Sequence, residues 1–239
     1  MTMSTVESVE GRKLHAEAEH LREGGSIQEA LLKIRSAQFS YIKDGDLLGL
    51  AEALASEVLA YRHLGEGTGH KEYLDFALRA ARLSVEFAEK SGQKEALALP
   101  YHTLGKVLED LNNWEEAKTY QEKAIGVMIN NPPPQHNRPA YINEMRIHWL
   151  SDRYMCGEKE ALSELDKVLA ELEADQSEPK YNRDVWLSGG FMSKATILKN
   201  DNPVGARKAF VKAGEIIKSN PDLKLRREQW DRMARELKS

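Results

Sequence analysis

Apolar positions recur along most of this chain at the three-and-four spacing of an amphipathic helix, and the alternation that makes a strand never persists. In the first stretch, Leu14, Ala18 and Leu21 form one stripe before Gly24-Gly25 breaks it. Ala30, Ile34 and Ala37 form the next, which runs to Asp44-Gly45-Asp46. Ser26 stands where a helix cap belongs, and Glu29 three residues on completes a capping box. The pattern therefore predicts a helical hairpin over about residues 6–43.

A cap, three residues and an alanine then recur. The phrase reads Ser26-Ile27-Gln28-Glu29-Ala30, Asn113-Trp114-Glu115-Glu116-Ala117, Gly157-Glu158-Lys159-Glu160-Ala161 and, more loosely, Asn202-Pro203-Val204-Gly205-Ala206. With Ala77 of the second stretch counted between the first two, the alanines recur at intervals of 40 to 47 residues, the mark of stacked supersecondary units. Further hairpins are predicted over about 46–90, 95–131, 139–174 and 181–219, with a capping helix over 222–238. In the second, Gly65-Glu66-Gly67-Thr68-Gly69 reads as a loose turn between helices. Pro132-Pro133-Pro134 ends the third and reads as a stiff joint to the fourth, while Pro203 fits the first turn of a helix, where its missing N–H costs nothing. The expectation is a single all-α domain over 1–239.

Two helices approach closely only where small side chains meet. Ala18, Ala55 and Gly105 on first helices, and Ala30, Ala77, Ala117, Ala161 and Ala206 on second helices, supply such positions. Leu21, Leu108, Trp114 and Phe210 are expected to fill the space between hairpins, since one hairpin alone leaves an apolar face wet. With Tyr101-x2-Leu104-Gly105-x2-Leu108 followed by Trp114, Ala117 and Ala124, the chain resembles the tetratricopeptide repeat family, in its long-helix form. Trp149 departs from the pattern, standing where that family has a small residue, which implies a wider crossing in the fourth hairpin. The resemblance covers essentially the whole chain. It implies an α-solenoid, a right-handed superhelix of about five hairpins plus a C-terminal cap, whose concave groove is lined by first helices and binds peptides or protein segments.

Composition narrows the classes. A chain that is 41% hydrophobic and 30% charged, with a mean hydropathy of -0.58, is too apolar for disorder and too charged for a membrane protein. The first residues, Met1 to Val6, lack the basic-then-apolar order of a signal peptide, and a lone Cys156 forms no intrachain disulfide, so a cytoplasmic protein is expected. The net charge of -4 is unevenly spread. Residues 180–239 hold 14 Lys/Arg against 7 Asp/Glu, a net of +7, and the other 179 hold 20 against 31, a net of -11. Such a split fits an anionic partner at the basic end or head-to-tail self-association.

No set of residues completes a catalytic or metal constellation, and no cofactor is implied. Glu17-Ala18-Glu19-His20 holds one Glu-x-x-His step, where a di-iron bundle needs two. The glycines at 65–69 follow a helix and lack a phosphate-loop lysine. The expected role is therefore a non-enzymatic scaffold or adaptor that binds a protein or peptide; the alternative is association with nucleic acid or the ribosome through the basic C-terminal region. Groove positions follow from helix phase: His15, Glu19 and Arg22; Glu52 and Ser56; His102, Lys106 and Glu109; Asn143, Arg146 and Arg153. The relatives that clamp a chaperone's carboxylate tail carry Lys and Asn where His15 and Glu19 stand, so the resemblance does not extend to that clamp.

Overall fold

The structure, a computed structural model, describes residues 7–133 and 137–236. Met1 to Val6, the Pro134-Gln135-His136 part of the proline joint, and Leu237 and Lys238 of the expected cap lie outside them. Among the described residues there is no strand, and no helix is long and apolar enough to cross a membrane. The chain divides into two compact units, Met1–Gln135 and His136–Ser239, at the proline-rich segment.

The first unit holds three hairpins: α1 (Val9–Glu23) with α2 (Ile27–Asp44), α3 (Leu47–Thr68) with α4 (Glu72–Ser91), and α5 (Ala98–Asp110) with α6 (Trp114–Asn130). A 3-10 turn at Lys94–Leu97 leads into α5. The second unit holds α7 (Pro139–Met155) with α8 (Ala161–Ala174), α9 (Lys180–Leu198) with α10 (Pro203–Ser219), and α11 (Lys224–Glu236). The small residues expected at the crossings are where helices meet: Ala18, Ala30, Ala77, Ala117 and Ala161 are fully buried, and Ala55 and Ala206 nearly so. A Cβ added at Gly105 would stand 2.6 Å from the buried Gln121 side chain of α6, so a larger residue there would push Gln121 aside.

Each unit has its own core. Ile34, Tyr41, Leu54, Val58, Leu104 and Leu108 belong to one, and Ile147, Leu150, Leu165, Leu169 and Leu198 to the other. Burying a side chain of this size stabilises by roughly 1.5–3 kcal/mol.

Several local readings change. The second hairpin is regular: α3 runs through Gly65 and Gly67 to Thr68, whose hydroxyl donates to the Leu64 carbonyl at 2.7 Å, and only Gly69 turns left-handed, at φ 74°. A Cβ added at Gly65 would stand 3.5 Å from the Tyr73 Cβ, so α4 lies close beside that last turn of α3. Ser26 stands at the N-cap of α2 but makes no side-chain bond there, so the capping box is not formed. The fourth hairpin's second helix starts at Ala161, the alanine of its phrase, because Lys159 and Glu160 before it form a turn. Trp114, expected to fill the space between hairpins, is half-buried at the first position of α6.

Candidate interaction faces of the first helices

In the first unit α1 packs on α3, and α3 on α5, so the first helices form one continuous layer. That layer is stitched by polar side chains. Arg12 of α1 pairs with Glu52 of α3. The His15 Nε2 lies 2.8 Å from the Ser56 hydroxyl, and Arg22 donates to Glu19 at 2.8 Å. Further along, Arg62 of α3 donates to both oxygens of Asp110 at the end of α5.

These groups titrate as their surroundings dictate. Burial holds the His15 imidazole below its ordinary value, although Glu19 and Glu52 pull the other way. For Glu19 burial acts upward, yet the Arg22 guanidinium and the Ser56 hydroxyl outweigh it and hold the carboxyl low. Lys33 keeps the Glu17 carboxyl low through a 2.7 Å bond, which ties the first acid of the Glu-x-x-His step to α2.

Of the predicted groove residues in this unit, His15 and Glu19 meet at Ser56, as both bond to its side chain. Lys106 is half-buried on α5. His102, one turn earlier, is only 4% exposed, and its Nδ1 lies 2.6 Å from the Gln121 side chain of α6. Gln121 in turn donates to Glu109 at 2.9 Å. His102 thus belongs to the seam within its hairpin.

In the second unit α9 packs between α7 and α11. Asn143 and Arg146 are brought together: the Arg146 guanidinium donates to Asn143 at 3.2 Å and lies 3.6 Å from Glu171 of α8. Arg153 donates to Glu158 at 2.6 Å and to Glu164 at 3.1 Å, and its guanidinium stands 4.7 Å over the Trp149 ring. All three lie on the flank of α7 that faces its own partner helix. Trp149 is half-buried under Arg153. Reasoning from spacing missed Arg138, which opens the seam between α7 and α9: it donates to the buried Glu178 at 2.7 Å and covers the Trp186 ring at 5.8 Å. Its one sequence signal was a cation just before the Pro139 that starts α7.

Neither a protein-family model nor a curated protein matches the sequence. Solved structures do match in shape. Two crystal structures of a putative kinesin light chain with nearly identical TPR-like repeats, from Podosopora anserina, superpose with TM-scores of 0.57 and 0.56. They share 15% and 16% identity over 87% of this chain and 94% and 96% of theirs. BtubC (BKLC) from P. vanneervenii superposes with a TM-score of 0.61 at 16% identity, over 87% of this chain and 80% of that one. At such identities the fold is what is shared.

Proposed function

We propose that this chain, whose fold is the tetratricopeptide-like helical repeat, is a non-enzymatic scaffold that holds a segment of a partner protein on its first-helix faces. The observation that carries this reading is the α1–α3–α5 layer, where half-buried charged groups are fixed across helices before any ligand arrives. Arg12, Glu19 and Glu52 retain about a third or less of their side-chain exposure while held in cross-bonds. Groups already immobilised lose little further entropy when a peptide pairs with them. The structural neighbours support a repeat scaffold and leave the partner open.

Photocrosslinking in the native cell tests this. A photoreactive residue placed at Glu19 or Lys106 should capture the same protein, and one placed at Ser36, on the exposed side of α2, should not. Adding E19A and K106A at the non-crosslinking position should reduce that capture about tenfold, the loss of roughly 1.4 kcal/mol. Equal capture from all three positions would remove the first-helix assignment.

A further inference from the structure

The last hairpin carries a second surface, on its second helix, that the first-helix reading does not use. Between the outer side of α10 and the C-terminal half of α11 runs a cleft of about 990 Å³. Its floor is apolar: Pro203, Val204, Phe210, Val211 and Ala234 line it, with Val204 68% and Val211 49% exposed. Those two valines stand seven residues apart, two helical turns, on one stripe.

Its rim is basic. Lys199, Arg207 and Lys208 are exposed and make no ion pair among the described residues. The neighbouring cations differ, since Lys212 pairs with Glu173 at 2.8 Å and Lys159 with Asp201 at 2.5 Å. Among the described residues one acid, Glu215, lines the cleft. Lys199, Arg207 and Lys208 thus stand beside exposed valines with no ion-pair partner among the described residues.

We infer that this cleft binds an acidic amphipathic helix from a protein partner. An apolar stripe that spans two turns matches the i, i+3, i+4 and i+7 anchors of a helix laid in a groove. The unpaired cations on the rim select for acidic flanks and speed encounter. Nucleic acid fits less well, because the aromatic rings here already stack on each other. Phe210 stacks face to face on Trp230 at 4.8 Å and 9°, and Lys218 stands 5.3 Å from the same indole, whose Nε1 donates to the Phe210 carbonyl. The binding of a single strand relies on open rings for its bases.

The test uses the full chain and a fluorescent peptide of about 16 residues, enough to run along α10 at 1.5 Å per residue. It carries leucines at helical spacing and glutamates elsewhere; a control peptide has lysines for the glutamates. The acidic peptide should bind, the lysine peptide should not, and binding should weaken as salt rises. R207E with K208E should weaken it at least tenfold while the circular dichroism spectrum is kept, and V204S with V211S should do likewise. If charge reversal disturbs the fold, K199Q with R207Q and K208Q gives the same comparison with a smaller perturbation. E19A with K106A should leave this binding unchanged, so the outcome is separate from that of the first-helix face. No binding of the acidic peptide, or equal binding by the variants, would overturn the inference. So would a preference for single-stranded RNA or for anionic lipid vesicles over the peptide.

Discussion

Tyr41 is the residue on which the first hairpins turn. It is fully buried, and its ring lies between Gly11 of α1 and Gly49 of α3, where an added Cβ would overlap it. Burial pushes its phenol up to about 12. Gly49→Ala should therefore destabilise by about 1–3 kcal/mol, the usual cost of overpacking. Gly67→Ala, a helical position with open space around it, should stabilise by up to about 1 kcal/mol. Urea titration of the two variants checks the sign. The neighbouring His15 makes a second prediction at this scale. Its pKa is depressed below 6.5 in the folded chain, so it favours folding above that pH and loses this contribution as pH falls. Glu19, Glu52, Arg12 and Arg22 are the charges that face it. The melting temperature should drop between about pH 8 and pH 5.5, and by less in His15→Gln, because the variant lacks the proton uptake. An equal drop in both would mean that other groups set the slope. The crossing alanines were legible in the sequence because every hairpin needs a small residue there. The glycine pair around Tyr41 was not, because it depends on three helices meeting across forty residues of chain.

At the scale of elements, helix starts show what spacing reveals and what it hides. Asp46 was read as part of the signal that stops α2. In the structure it also caps α3, accepting from the Gly49 N–H at 2.7 Å, and it accepts from the Ser8 N–H at 3.0 Å. Ser8 in turn caps α1 through Gly11 and donates its hydroxyl to Asp44 at 2.6 Å. One carboxylate thus fastens the beginnings of two helices that lie 38 residues apart. Asp46→Ala should cost about 2 kcal/mol, the upper range for a lost cap, since a buried N–H is orphaned as well. Ser26→Ala, at a cap whose side chain makes no bond, should cost well under about 0.5 kcal/mol. Thermal melts of the two variants separate a cap in position from a cap in use. The candidate faces obey the same distinction. Spacing placed Asn143, Arg146 and Arg153 on one helix side, yet a rotation of 100° per residue leaves two polar flanks open to them. Glu171, Glu158 and Glu164 decide between those flanks, and they belong to residues that spacing on α7 alone does not weigh.

At the scale of the whole molecule, the hairpins stacked within each unit give stability as a sum of local terms, because a hairpin in a stack packs on its neighbours. The two cores share no residue. A defect in one should then be felt first within its own unit. Leu165→Ala removes a fully buried side chain of α8 and should cost about 2–5 kcal/mol. Native-state hydrogen exchange locates that loss. Amides of α7 to α10 should exchange roughly 30-fold or more faster, the rate equivalent of about 2 kcal/mol, while those of α1 to α6 keep their protection. Ile34→Ala should give the mirror result, because Ile34 is fully buried in the other core. A uniform loss of protection along the chain in either variant would show one cooperative unit, in which a ligand on either surface stabilises every helix alike. Protection lost unit by unit would instead let a peptide on the α1–α3–α5 layer and a helix on α10 each stabilise only the hairpins that hold it.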